Sequence, residues 1–195
     1  MKESAPGVRF GRARDYREPG WGREAWRRRR LRALDLPSLS PELVRQRLAI
    51  VPAPFHACTG AVYWPCEARV ASGDWIDRVC LVRASDWFGP MPHEQDDHPY
   101  MDIRDIVELR ESPSRLPPPF INETHWKALG LGFNGGMIEL VFRTGESLLV
   151  GGEFFDFPPY PEDAGPADVV EVRTPTRDRM DEARFPARPI WCLVD

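Results

Sequence analysis

Between Asp102 and Val172 the chain alternates short apolar runs with proline and glycine breaks, a punctuation that suits a sheet built from hairpins and little else. Val107-Glu108-Leu109-Arg110 alternates apolar and charged residues, as does a strand with one face in the core. Ser112-Pro113-Ser114-Arg115-Leu116-Pro117-Pro118-Pro119 breaks it, because each proline lacks a ladder donor and drives the preceding residue toward extended geometry. From Phe120 to Leu129, residues Phe120, Ile121, Thr124, His125, Ala128 and Leu129 share one helical face, which predicts a short amphipathic helix ended by Gly130. Met137 to Arg143 and Ser147 to Val150, joined by Thr144-Gly145-Glu146, predict a hairpin. Gly151-Gly152 allows a bend before Glu153-Phe154-Phe155-Asp156-Phe157, Pro158 stops that element, and Asp168 to Val172 predicts one more strand.

Within this stretch, Glu111-Ser112-Pro113-Ser114-Arg115-Leu116-Pro117, Val141-Phe142 with Gly145, Gly152, Asp156-Phe157, Tyr160-Pro161 and Gly165-Pro166-Ala167-Asp168-Val169-Val170 resemble a group of uncharacterised bacterial proteins. The resemblance covers about this one compact unit. It implies a bacterial origin and a shared fold, and it brings no activity or catalytic residue with it.

Upstream, Met1 to Gly22 has little apolar periodicity and is expected to be disordered or loosely attached, whereas Arg23 to Leu36 suits a short basic helix that Pro37 stops. Ser40-Pro41-Glu42 starts a second helix, with a capping hydroxyl, proline at the first helical position and an acid in the first turn. Ala61 to Trp64 is strand-like, and Glu67 to Val70 with Trp75 to Val82 flank a turn at Ala71-Ser72-Gly73-Asp74. Ser85 to Tyr100 reads as a long polar loop, and Pro189 to Val194 as a terminal strand closing a sheet edge. The expected fold is α+β: a largely antiparallel sheet or partly open barrel with one main amphipathic helix, over residues 49–195, preceded by a basic, partly disordered or helical extension over residues 1–48.

Charge divides the chain at the same place. Residues 1–48 hold 13 Lys+Arg against 6 Asp+Glu, a net of +7, and residues 49–195 hold 13 against 24, a net of -11. Because 24 of the 26 basic residues are arginine and 21 residues are proline, a GC-rich genome accounts for much of the arginine. No stretch of 18 apolar residues and no apolar leader occurs, so a cytoplasmic protein without a membrane segment is expected. Cys58, Cys66, Cys80 and Cys192 are too scattered for a disulfide framework and are expected to be reduced and buried.

Several residue groups carry possible chemistry. His93-Glu94-Gln95-Asp96-Asp97-His98 supplies ligands for zinc or manganese, with His93, Asp96, Asp97 and His98 as the candidate set, although a solvated loop has the same composition. Gly130-Leu131-Gly132-Phe133-Asn134-Gly135 matches a dinucleotide-loop spacing but follows a helix and precedes a strand, the reverse of the phosphate-binding order, so it is read as a helix end, and no cofactor is expected. His56, Cys58 and Cys66 lack the paired-cysteine spacing of a zinc knuckle, and Ser112 and Ser114 are read as turn residues. Glu139, Glu146, Glu153 and Asp156 are assigned to the wet face of the hairpin and its exit. Phe154, Phe155 and Phe157 cannot all face inward on one strand, so Phe154, Phe155 and Asp156 are a candidate acidic and aromatic surface for a protein partner. Arg27, Arg28, Arg29 and Arg30, beside Trp21 and Trp26, form a second candidate surface, for protein or for nucleic acid.

These residues favour a non-catalytic interaction protein of inhibitor or immunity type. The rival readings are a small metal-dependent hydrolase using the His93 to His98 loop and a nucleic-acid-binding protein using the arginine-rich segment. Oligomeric state is not encoded in any of these features.

Overall fold

The computed structural model of the chain describes residues 8–10, 36–54, 62–87, 99–121, 136–152 and 155–195. Its centre is a hairpin of two long strands, β3 (Val62–Val70) and β4 (Trp75–Arg83). Their turn closes where the sequence places it: Val70 N–H donates to the Asp74 carbonyl and Gly73 N–H to the Val70 carbonyl, with Gly73 at φ 96°. Pro65 lies inside β3, at the step where the strand's second neighbour changes from β2 (Ala53–Pro54) to β6 (Ile106–Glu111), so its missing donor falls between two ladders.

Around this hairpin a seven-stranded sheet runs in the order β1 (Val8–Phe10), β5 (Pro99–Met101), β10 (Ile190–Val194), β4, β3, β2, with β6 also on β3. The terminal strand is therefore not an edge: β10 lies between β5 and β4 and is parallel to both. Its sequence Ile-Trp-Cys-Leu-Val is apolar throughout, as an interior strand covered on both faces requires. Trp191 and Leu193 enter one core and Cys192 and Val194 the other.

A second sheet carries β8 (Ser147–Gly152), β7 (Gly136–Phe142) and β9 (Val169–Arg173), in that order and antiparallel throughout. The predicted 137–150 hairpin is its core, turning at Gly145 with φ 89°. Ile138, Leu140, Phe142, Leu148, Val150 and Val172 pack with Tyr63, Cys80, Val82 and Trp191 of the large sheet. The Trp191 ring meets Trp87 at 4.7 Å and Tyr63 at 5.6 Å, both edge-on. The two sheets face each other without closing into a barrel, and roughly antiparallel α+β describes the described residues.

The other face of the large sheet is covered by helix α1 (Pro41–Leu48), which places Leu43 among Trp64, Cys66, Val79 and Leu81. Ser40 caps it as predicted, its Oγ accepting from Leu43 N–H at 3.2 Å. Residues 118–121 are helical, and the remainder of the predicted 120–129 helix lies outside the described residues, as does the basic helix over 23–36. No helix among the described residues is long and apolar enough to cross a membrane.

Candidate functional site

β4 contains two adjacent charges, Asp77 and Arg78, in a strand whose other residues up to Val82 are apolar. They form a bulge opposite Glu67: Cys66 pairs with Val79 and Ala68 with Ile76, leaving Asp77 and Arg78 to share one partner. Arg78 takes φ 60°, a left-handed conformation unusual for a residue with a Cβ. The bulge reverses the strand's parity, so Ile76 joins the α1 side with Val79 and Leu81 instead of following Cys80 and Val82.

Asp77 receives the proline-rich break that follows β6. Ser112 Oγ donates to Asp77 Oδ1 and Ser114 Oγ to Asp77 Oδ2, each at 2.5 Å, while Ser114 N–H closes a local turn on Ser112 Oγ at 3.2 Å. Arg115 then turns inward. Its Nε donates to Asp156 Oδ1 at 3.3 Å, and Nη1 donates to the Val51 carbonyl at 2.5 Å and to Glu111. Tyr63 O–H donates to the other Asp156 oxygen, and Leu116 N–H donates to the Asp156 carbonyl at 2.7 Å. The Ser-Pro-Ser-Arg-Leu segment thus fastens β3 and β4 to the segment leaving the small sheet.

The electrostatics follow from burial. Arg115 and Asp156 expose only 1% and 3% of their side chains, so a charge on either needs the other. Burial raises the Asp156 carboxyl above its ordinary value, against the opposing pull of Arg115 and the Tyr63 hydroxyl. Burial and then the Asp156 charge push the Tyr63 phenol well up, and the same two causes raise Tyr160. Cys66, Cys80 and Cys192 are buried, and burial raises all three thiols, as the sequence reading of inert core cysteines implies. Arg115 Nη2 is buried with no hydrogen-bond partner among the described residues.

The arrangement holds charge and does not present it. Ser112 is 4% exposed, and it shares the Asp77 carboxylate with Ser114. Phe155 and Asp156 are buried, which corrects the expected acidic and aromatic surface: residues 155–157 form no strand with alternating faces, and Phe155, Asp156 and Phe157 all enter the interior. Asp156 is likewise removed from the wet face assigned to it. Glu139 is half-buried and accepts from Ser147 Oγ at 2.7 Å and from Arg179, while Glu146 is exposed as expected. Phe154 and Glu153 lie outside the described residues, as do His93, Asp96, Asp97 and His98 of the candidate metal loop and Arg27, Arg28, Arg29 and Arg30 of the arginine-rich segment. Among the described residues no group of three or more His, Cys, Asp or Glu side chains could hold a metal ion.

Sequence reasoning missed Asp77, Arg115 and Tyr63 as members of this cluster. A signal was present: Arg115 sits in a proline and leucine context and Asp156 in a phenylalanine run, and a charge in apolar surroundings needs a partner of opposite sign.

Fold and site together define a two-sheet α+β protein fastened by a buried Arg–Asp pair. Comparison of the chain with protein-family models, curated proteins and solved structures finds no match.

Proposed function

We propose that the protein is a non-catalytic interaction protein, of inhibitor or immunity type, which binds a basic protein partner. The observation that carries this reading is the saturation of the two carboxylates: buried Asp156 is spent on Arg115 and Tyr63, and half-buried Asp77 on Ser112 and Ser114. Such groups hold a fold together, and a reacting centre needs at least one of them reachable by substrate.

Support for binding comes from the surface. Leu48, Val51 and Val107 are 73%, 46% and 47% exposed. They flank the junction of α1 with β6, where Gln46 Oε1 accepts from Leu109 N–H at 2.8 Å and Glu111 Oε2 accepts from Val51 N–H at 3.3 Å. Apolar anchors amid charged neighbours are the anatomy of a protein interface. The net charge of -11 over residues 49–195 selects a basic partner.

Cross-linking of the full chain in cell extract, mapped by mass spectrometry, is expected to attach a basic protein near Leu48, Val51 and Val107. The double variant Leu48→Glu, Val107→Glu is expected to lose that attachment with its Tm unchanged. Turnover of an ester or phosphoester that Ser112→Ala abolishes overturns the reading. Attachment that needs only Arg27 to Arg30 and nucleic acid overturns it as well.

A further inference from the structure

Two tryptophans of this fold are each gripped by two arginines, and the contrast between them is informative. At Trp75 the guanidiniums of Arg110 and Arg69 lie 3.9 Å and 5.9 Å from the ring centroid. Both arginines have carboxylates: Arg110 pairs with Glu67, and Arg69 with Glu108 at 2.5 Å. That group is neutral as built.

At Trp64, on the opposite side of the large sheet, the guanidiniums of Arg47 and Arg83 lie 4.6 Å and 5.8 Å from the centroid. Arg47 comes from the last turn of α1 and Arg83 from the end of β4. Neither has a carboxylate partner among the described residues, and Arg47 Nε is buried without a hydrogen-bond partner there. The neighbouring acid of α1, Glu42, is spent on Arg45 and Gln46. Burial, and then the charge of Arg83, lowers Arg47's affinity for its proton, so the charge acting on Arg47 is a like charge. Cation–ring attraction holds the guanidiniums to the indole, yet it neutralises neither.

We propose that Arg47 and Arg83, held against Trp64, form a binding site for a phosphate group, separate from the buried Arg115–Asp156 cluster. Phosphate offers several oxygens to two planar forks at once and supplies a negative charge that none of the described residues sets against Arg47 or Arg83. A carboxylate has only two oxygens and a single charge to set between them. Tyr63 and Trp64 are consecutive on β3, so the phosphate site and the interior clamp occupy opposite faces of one strand.

The test is calorimetric titration of the full-length protein with inorganic phosphate, with acetate and chloride as controls at matched ionic strength. Phosphate is expected to bind at one site and to raise Tm, and Arg47→Gln and Arg83→Gln are each expected to weaken it about tenfold or more. Each substitution relieves repulsion but also gives up a cation–ring contact, so the Tm of each unliganded variant is compared with that of wild type, and weakened phosphate binding by a variant that still melts cooperatively separates lost binding from lost folding. A wild-type response to phosphate no greater than that to acetate or chloride overturns the proposal. So does wild-type affinity in both variants, which places the anion on other arginines.

Discussion

The Arg115 guanidinium and the Asp156 carboxylate meet inside the protein, Nε to Oδ1 at 3.3 Å, although they stand 41 positions apart in the chain. One comes from the proline-rich break after β6 and the other from the segment leaving the small sheet, so their contact ties the two sheets together. A buried pair gains little over a well-packed apolar pair, but breaking it leaves a naked charge and costs roughly 3–5 kcal/mol.

Stability is expected to depend on pH through Asp156. Its folded carboxyl titrates above the ordinary value of 3.8, so between that value and the raised one the native state holds more protons than the unfolded chain. Stability contributed by this group therefore falls as pH rises across that window and is flat on either side. Urea unfolding of wild type and Asp156→Asn from pH 3 to 7 measures it: the stability of wild type relative to the variant should fall with pH, and a rise contradicts the account.

Ser112→Ala removes a hydroxyl that donates to a carboxylate, an interaction worth roughly 1.5–3 kcal/mol. The urea midpoint is expected to drop accordingly. In an Asp77→Ala background the same change should cost much less, because the acceptor has already gone.

Arg78 holds a left-handed conformation with φ 60° that glycine adopts without penalty. Arg78→Gly is expected to raise stability by about 0.5–1 kcal/mol, with the gain reduced by glycine's greater freedom in the unfolded chain. Arg78→Val, branched at Cβ, should lower stability, and thermal melts of the two variants distinguish the signs.

Cys66, Cys80 and Cys192 are buried with raised thiol pKa values, so almost none of each is thiolate at pH 8. Peptide mapping after iodoacetamide treatment should find these three unlabelled in the native protein and labelled in urea.

Local chemistry was legible in the sequence and long-range pairing was not. Ser40-Pro41 announced the start of α1, and Gly73 and Gly145 announced the two hairpin turns, because capping and positive φ are properties of a few adjacent residues. The proline break after β6 was legible too. Its partners Asp77 and Asp156 were not, since nothing nearby in the chain specifies which distant carboxylate a buried arginine meets. Consecutive polar residues Asp77 and Arg78 inside an apolar strand carried the bulge signal, and the unbroken apolar run of β10 carried the signal of an interior strand.

A double-mutant cycle on the clamp, read by urea unfolding, tests most directly whether the interior charges serve to hold the fold. Arg115→Met strands the Asp156 carboxylate, Asp156→Asn leaves Arg115 only Glu111 as counter-charge, and the pair together leaves Tyr63 O–H an amide oxygen to donate to. The double variant is expected to be less destabilised than the sum of the singles by about 1–3 kcal/mol. Additive effects, or single variants as stable as wild type, contradict the account.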